Sequence, residues 1–336
     1  MTDSIAIAEP QIVKRIGFFA GPLALLLLGL SASPNAWLAL DPAQPKLNLM
    51  AGVLALMCIW WTTEAVPMGA TALVPLALCP LLGLTTLKDL QPAYGDSNIF
   101  LYLGGFLVAL AVEECGLHRR MALGVVSVVG GRPHAIVGGV MFVTATLSMW
   151  MSNTATALLM LPLASSVLVR FDEQTRRTGP SPRSRNLGLC LMLGIAYAAS
   201  IGGIATLVGT PPNTFMSGFF KEALPNEPEL SFFGWMRMAV PLSYTMLLAA
   251  WVLLAWVIFP PDATPAANGF EEIAEQRRAL GPMHADEWRV LCVFVTLALA
   301  WTFREPFKGW GWGPALGLDK TRIDDAGVAV IAGIAC

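Results

Sequence analysis

Residues 148–154 read SMWMSNT and residues 202–213 read GGIATLVGTPPN, and each stretch places small and polar residues within a long apolar run. The first interrupts a run from His134 to Val169, and the second ends a run that starts at Leu187. In hydrocarbon, irregular backbone survives only inside protein or along a wet cavity, because every N–H and C=O group needs a partner. The two interruptions therefore predict a solute site near the bilayer midplane, built from broken helices.

The composition indicates a polytopic membrane protein. Of the 336 residues, 55% are hydrophobic and 13% are charged, whereas soluble domains are typically about 25% charged. The mean hydropathy is +0.62. A net charge of −2 without a basic patch argues against a nucleic-acid partner. The six cysteines and three histidines show no paired or ligand spacing, so neither disulfides nor a metal centre is predicted, and no cofactor is expected beyond a coupling ion.

The arginine clusters predict how the first broken run crosses the membrane. Basic residues collect on the cytoplasmic side of membrane proteins. With the basic pair at residues 14–15 on that side, the clusters at 119–132 and 170–185 both lie inside only if the run between them enters the bilayer and returns on one face. Two full spans joined by a very short loop would satisfy the same rule, but each half of the run has only about 16 residues, at or below the lower limit for an upright span. We therefore favour a re-entrant helical hairpin at residues 133–170, with residues 152–154 at its tip.

Hydropathy and charge divide the chain into five segments. The first apolar stretch could be a cleaved signal peptide, but the spans that follow it favour an uncleaved first helix. The third span is expected at residues 68–84. The first two predicted segments are an N-terminal tail (1–15), polar and disordered over residues 1–13, and scaffold helices (16–131) with four spans and an interfacial helix at 116–131. The third is a transport part (132–260) with the hairpin 133–170, a broken span 187–223 and a sixth span 238–259. The last two are a cytoplasmic amphipathic connector (261–287) and a segment with a seventh span and the start of an eighth (288–336).

The broken helices can supply both halves of a charge-selective site. A helix N-terminus inside the membrane carries free N–H groups and about half a positive charge, which suits a carboxylate or sulfate. A helix C-terminus and unwound carbonyls suit a hard cation such as sodium. Ser148 and Ser152 are four residues apart, so their hydroxyls are predicted on one helix face, where a carbonyl near Gly209 would complete a sodium site without a carboxylate. Charge would then arrive as cation and anion together, which couples their binding.

A purely structural interpretation competes for each of these residues taken singly. Serine and threonine in membrane helices often donate to their own i−4 carbonyl, and glycine often serves helix packing. We expect such back-bonding for Thr144, Thr146 and Thr156. Glu64 could be a buried functional acid, but its place at the end of the second span favours a structural or interfacial role. For the remaining residues, two separate breaks, each rich in Gly, Ser, Thr, Asn and Pro, favour a site.

At these breaks the chain resembles the divalent anion/sodium symporter family, which comprises sodium-coupled carriers of C4-dicarboxylates, citrate or sulfate. The likeness extends over most of residues 47–336 and rests on Trp61–Pro67, Phe100–Gly105, residues 148–154 and residues 209–213. It implies two inverted repeats, a scaffold and a mobile transport domain, a homodimer, an elevator-type motion and a place in the bacterial inner membrane.

The resemblance also assigns roles to single residues and sets a limit. In the family, a second hairpin with its own Ser-Asn-Thr follows in the C-terminal repeat, whereas this sequence contains Ser-Asn-Thr once. We therefore expect an all-α inverted-repeat transporter whose second repeat is incomplete, with one sodium site and half a substrate site, unable to transport alone. The implied sodium ligands are Ser148, Ser152, Asn153 and Gly209, and the implied substrate contacts are Asn153, Thr154, Thr210 and Pro211.

The function predicted from these features is sodium-coupled secondary active transport of small divalent anions across a lipid bilayer. An anion exchanger or a cation antiporter of similar architecture is the alternative, although proton-moving antiporters usually carry an acid within a span and the broken segments here have none. A membrane-embedded enzyme is disfavoured because no pair of histidines, cysteines or acids lies at depth.

The topology predicts which side of the membrane each loop faces. In a variant that lacks the six native cysteines, single cysteines at Arg176 and at Glu227 should react with a membrane-impermeant thiol reagent from opposite sides, the first from the cytoplasm. Reaction of both positions from one side would contradict the predicted number of spans between them.

Overall fold

The computed structural model describes residues 3–31, 40–41, 44–126, 132–178, 185–224, 226, 230–261, 275, 277–305, 310–318 and 322–336. The regular structure of these residues is helical, which confirms the predicted all-α class. The chain forms two compact units, Met1–Asp96 and Ser97–Cys336. The described helical stretches that are long and apolar enough to cross a membrane are Gln11–Leu30, Lys46–Thr63, Leu87–Glu114, Asn186–Gly203 and Phe232–Ile258.

The first unit starts with two long antiparallel helices. Its helices are α1 (Asp3–Leu30), α2 (Pro45–Thr63), α3 (Met68–Ala72), α4 (Val74–Leu81) and α5 (Leu87–Tyr94). Gly21 on α1 lies so close to Trp60 on α2 that a Cβ there would be 2.7 Å from the indole Nε1. The prediction of a disordered N-terminal tail was wrong, because α1 begins at Asp3; a helix extends readily from a formed apolar span.

Glu64 ends α2 in a way that agrees with the predicted structural role. Its backbone has a φ of 48°, and its N–H bonds back to the last turn of the helix. Its side chain is 64% exposed and lies 3.2 Å from Lys14 Nζ. The backbone of Glu64 thus caps the helix end, while its exposed carboxylate pairs with Lys14 and is not buried among apolar side chains.

The third predicted span, residues 68–84, is not a single helix. The stretch is divided into α3 and α4 on either side of Leu73. Pro75 stands in the first turn of α4, where its missing N–H costs nothing, but its ring is incompatible with an uninterrupted helix through Leu73. The predicted span thus corresponds to two consecutive helices that end at Leu81, and its passage through a membrane stays a prediction.

The second unit contains the predicted transport part. The predicted interfacial helix corresponds to α7, and residues 127–131 lie outside the described residues, as does most of the connector predicted at 261–287. The helices of this unit are α6 (Ser97–Glu114), α7 (Leu117–Val126), α8 (Pro133–Ser148), α9 (Asn153–Thr178), α10 (Asn186–Gly203), α11 (Pro211–Ala223), α12 (Phe232–Val252, continued by a π-helical segment, Leu253–Ile258), α13 (Ala285–Phe303), α14 (Trp312–Ala315) and α15 (Asp325–Ala335).

The first broken run forms two helices, α8 and α9, as the sequence predicted. α9 continues to Thr178, beyond the predicted end of the hairpin, because no proline or glycine interrupts it between Val169 and that residue. α10 packs closely against α8: a Cβ on Gly202 would lie 2.2 Å from the carbonyl oxygen of Ala145. The re-entrant placement of this pair in a bilayer stays a prediction.

The helix of the predicted sixth span, α12, starts earlier than predicted. α12 begins at Phe232, whereas the sequence suggested residue 238. Ser231 precedes it as an N-cap, and its hydroxyl accepts a hydrogen bond from the N–H of Gly234 at 3.1 Å. A serine in this position satisfies one of the free N–H groups of the first turn, and so fixes the start of the helix.

A bidentate ion pair joins α7 to the start of α13. Arg120 Nε lies 2.8 Å from Glu287 Oε1, and Arg120 Nη2 lies 3.0 Å from Oε2. Arg120 also donates to the carbonyl of Gly281 at 2.8 Å. The hydrogen bond from Arg120 is the main reason that the pKa of Glu287 is below its ordinary value. These contacts tie α7 to the segment that leads into the predicted seventh span.

A buried ion pair joins three helices at the other end of α13. Arg304 Nε lies 2.6 Å from Asp325 Oδ1, and the two side chains are only 7% and 13% exposed. The second carboxylate oxygen of Asp325 accepts the N–H of Phe232 at 2.9 Å. Asp325 therefore compensates the Arg304 charge and also satisfies the first turn of α12.

Removal of this carboxylate should destabilise the protein strongly. We expect Asp325→Ala to lower the free energy of unfolding by about 3–5 kcal/mol, because it leaves a buried arginine unpaired. The matched control is Asp286→Ala, which breaks a pair with Arg289 whose side chains are 78% and 79% exposed and should cost less than about 1 kcal/mol. Denaturant unfolding in micelles measures both, and equal losses would contradict the assignment.

Candidate ion and anion site

The tip between α8 and α9 is formed by a capping serine. The Ser152 hydroxyl accepts a hydrogen bond from the N–H of Ala155 at 3.1 Å, and its carbonyl accepts the N–H of Thr156 at 3.0 Å. α8 ends at Ser148, so Ser148 and Ser152 do not share one helix face, and that prediction was wrong. Because a hydroxyl oxygen has two lone pairs, Ser152 keeps one for a further partner while it caps α9.

Ser148 lies at the centre of a small cluster of oxygens. Its side chain is fully buried, and its Oγ is 2.7 Å from Asn153 Oδ1 and 2.7 Å from the carbonyl oxygen of Ala199. A hydroxyl carries one proton, so Ser148 can donate fully to only one of these oxygens. The cluster is therefore uncharged, rich in oxygen and short of protons, which is the environment that a hard cation prefers.

The second break is held together by the side chain of Asn213. Its Nδ2 donates to the carbonyls of Gly203 at 2.8 Å and Thr206 at 2.7 Å, and the residue is 6% exposed. The last carbonyls of a helix have no partner within it, and α10 ends at Gly203. Asn213 thus satisfies groups that would otherwise be unpaired at depth, a role that the sequence alone did not indicate.

The two breaks meet at Gly203. A Cβ on Gly203 would lie 2.4 Å from Asn153 Oδ1, and a Cβ on Gly209 would lie 2.5 Å from the Gly203 carbonyl oxygen. The Thr206 hydroxyl donates to the carbonyl of Met149 in the tip. The Ser-Asn-Thr tip and the Gly-Thr-Pro-Pro-Asn segment are therefore in contact, as a shared site requires.

The predicted substrate residues occupy two helix starts. Asn153 and Thr154 are the first two residues of α9, and Thr154 is exposed. Thr210 precedes α11 in an extended conformation, and Pro211 is the first helical residue. Both prolines of the motif lie in the first turn of α11, and the fixed φ of Pro211 favours a helix start there.

Only one of these helix starts offers backbone donors from its first two residues. Proline has no N–H, so Pro211 and Pro212 at the start of α11 can donate nothing. The N–H groups of Asn153 and Thr154 have no partner within α9, because an N–H group bonds to the carbonyl four residues earlier and these two residues open the helix. An anion at this site would therefore be held by the start of α9.

Two of three threonines assigned to back-bonding behave as expected. Thr144 donates to the carbonyl of Val140 at 2.7 Å, and Thr146 donates to that of Phe142 at 2.8 Å. Thr156 does not: its hydroxyl is buried and has no hydrogen-bond partner among the described residues. A buried hydroxyl of this kind, one turn after Ser152, needs a partner from elsewhere.

Broken helices that meet at an uncharged, oxygen-rich point are typical of secondary transporters. The similarity to one known family is specific: residues 39–336 match the model of the sodium:sulfate symporter transmembrane region, and the chain belongs to this family of integral membrane transporters. That membership agrees with the resemblance found in the sequence and with the prediction that the protein is not an enzyme.

The chain is also similar to curated proteins that are named as sodium-dependent dicarboxylate transporters. The chain is 32% identical over 292 residues to the sodium-dependent dicarboxylate transporter SdcS of Staphylococcus saprophyticus, an alignment that covers 87% of this chain and 55% of the relative. It is 33% identical over 292 residues to the protein of the same name from Staphylococcus aureus, with the same coverage. The chain thus spans about half the length of the curated relatives it matches.

The contact at Gly203 can be tested by adding a single methyl group. Gly203→Ala would place a Cβ 2.4 Å from Asn153 Oδ1 and should lower the free energy of unfolding by about 1–3 kcal/mol through overpacking. Gly69→Ala is the control, because a Cβ there meets no atom within 4 Å. Thermal unfolding of the purified proteins measures both, and an unchanged Gly203→Ala variant would show that the breaks do not meet.

Proposed function

We propose that this chain carries a sodium site and an anion-binding helix start of a sodium-coupled carrier for small divalent anions, C4-dicarboxylates foremost. The observation that carries the proposal is the meeting of the Ser-Asn-Thr tip with the second break at Gly203. The relatives named as sodium-dependent dicarboxylate transporters support the choice of ion and substrate. Sulfate is the second candidate substrate, since the matching family model is described by it.

In this proposal sodium binds to neutral oxygens at the tip. Ser148 Oγ and Asn153 Oδ1 are already 2.7 Å apart, Ser152 has a spare lone pair, and Gly209 supplies a carbonyl from the second break. None of these ligands is an ionised side chain, so the empty site avoids the permanent cost of a buried charge. Sodium can then leave as readily as it enters, which a carrier requires.

The anion lies at the start of α9 in the same proposal. The N–H groups of Asn153 and Thr154 and the positive end of the helix dipole attract a carboxylate or sulfate. Thr154 adds a hydroxyl on the exposed side, and Thr210 and Pro211 form the facing wall. Because sodium and anion share Asn153, the bound cation lowers the electrostatic cost of the anion, and each increases the affinity for the other.

The remaining features of the proposal concern the whole carrier. Elevator-type alternating access in a homodimer of the bacterial plasma membrane is supported by family membership and by the bacterial origin of the relatives. An anion exchanger or a cation antiporter is the alternative, and the absence of acids from the two described breaks, residues 149–152 and 204–210, speaks against proton exchange.

Removal of one oxygen tests the sodium site. We expect Ser148→Ala to raise the sodium concentration for half-maximal effect at least about tenfold, because a polar contact to an ion contributes about 1.5–3 kcal/mol. Two measurements report this change: sodium-dependent stabilisation of the purified chain, and sodium-dependent succinate uptake by cells that express the native gene with or without the substitution.

Ser200→Ala is the matched control for this experiment. The Ser200 hydroxyl is exposed and donates to the carbonyl of Ala196 in its own helix, so its loss should leave the sodium dependence unchanged. A Ser148→Ala variant with the sodium response of the unmodified protein would refute the assignment of the ion site, and uptake that does not require sodium would refute the coupling.

A further inference from the structure

A second concave region lies away from the ion and anion site, between α8 and the end of α12. It is a cavity of about 790 Å³, lined mainly by apolar and aromatic side chains. Arg132 and His134 line one end of it, and none of the residues assigned to sodium or substrate contributes to its wall. The transported solutes therefore do not account for this cavity.

The π-helical segment at Leu253–Ile258 shapes this cavity. In an α-helix, residues five apart point about 140° away from each other, whereas the π-helix repeats with an i→i+5 bond and brings such residues onto one face. Trp251 and Trp256 are placed together in this way, with ring centroids 4.7 Å apart at 78°. The segment thus turns both indoles toward the same groove.

The opposite wall of the cavity is formed by α8, which contacts both indoles. Trp251 Nε1 donates to the carbonyl of His134 at 2.9 Å, and the His134 ring lies 4.8 Å from the Trp256 ring. A Cβ on Gly138 would lie 2.7 Å from Trp251 Cε2, so only glycine lets the indole approach at that point. The aromatic end of the cavity is therefore a defined structure of both helices.

The dimensions of the groove match one leaflet of a bilayer. At a rise of 1.5 Å per residue, Arg132 and Phe142 are separated by about 15 Å along α8, and Tyr244 and Trp256 by about 18 Å along α12. The hydrocarbon core is about 30 Å thick, so each wall covers about half of it. The outer edge stays open, since Phe142 and Leu248 are 46% and 56% exposed.

The charge at one end of the groove suits an anion. Arg132 is exposed and belongs to the basic cluster predicted on the cytoplasmic side. Within the described part of the chain, no carboxylate is paired with it. Tryptophans beside a basic residue at a span end are typical of the interface between headgroups and hydrocarbon, and basic pockets between cytoplasmic helix ends bind acidic lipid headgroups.

We propose that this groove binds an anionic phospholipid of the cytoplasmic leaflet. The Arg132 guanidinium and an N–H of the His134 ring bind its phosphate, and one acyl chain lies along Gly138, Phe142 and Leu248, with Trp251 and Trp256 at the level of the ester groups. The headgroup gives preference for acidic lipids, and the apolar groove gives binding that inorganic phosphate alone cannot achieve.

Lipid retained by the purified protein tests the proposal. The full chain is reconstituted in nanodiscs that contain equal amounts of phosphatidylglycerol and phosphatidylcholine, extracted in mild detergent, and measured by native mass spectrometry. We expect one retained phosphatidylglycerol, and Arg132→Gln should reduce the preference for it about fivefold, the value expected for one basic residue at a membrane surface. Arg185→Gln, an exposed arginine directly before α10, is the control and should retain the preference.

A second pair of variants tests the acyl-chain groove without changing charge. Leu248→Trp fills the groove and should reduce retention of both lipids, whereas Leu253→Trp, at a residue that is 52% exposed and outside the cavity lining, should not. Equal retention of the two lipids by the unmodified protein, equal losses for Arg132→Gln and Arg185→Gln, or displacement of the lipid by inorganic phosphate would each overturn the proposal.

Discussion

The interaction on which the second unit depends is the bond from the Asn213 carboxamide to the carbonyls of Gly203 and Thr206. α10 stops within an apolar run, and the unpaired carbonyls at its end would each cost about 1–3 kcal/mol if they stayed buried without a partner. Because Asn213 lies near the start of the next helix, it satisfies them from across the break. The unwound segment can therefore persist in a buried environment without a charged residue.

This constraint also explains why the site is neutral. Asn213 donates to the carbonyl of Gly203, and the Thr206 hydroxyl accepts the N–H of Gly209, so the backbone at the second break is satisfied and no ion is needed to hold it in shape. Gly203 then lets Asn153 approach within contact distance, and Asn153 meets Ser148. The oxygens of the tip are thus positioned by the fold, and in the proposed carrier the binding energy of the ligands would be available for coupling.

The positions of both breaks could be predicted from the sequence, because small and polar residues that interrupt a lipid-length apolar run leave backbone groups that only protein or a wet cavity can satisfy. Their internal geometry could not. Ser148 and Ser152 look like an i, i+4 pair until the end of α8 is known, and Pro211 can equally end one helix or start another. Asn213 acts through partners that only the fold brings near, and the π-helical segment has the same apolar composition as an α-helix, so it leaves no trace in the sequence.

α8 relates the proposed ion site to the proposed lipid site. The helix has no interruption between Pro133 and Ser148, so its two ends are about 24 Å apart and move together. Ser148 at one end contacts Asn153 and Ala199, whereas His134 at the other contacts the tryptophans of α12. A displacement of the ion site along the membrane normal would carry the basic end of α8 with it. The tryptophans of α12 belong to the same predicted transport part and would move with α8. A partner of Arg132 outside that part would instead have to re-form its contact at another depth, and a mobile lipid meets that requirement where a fixed protein carboxylate would not.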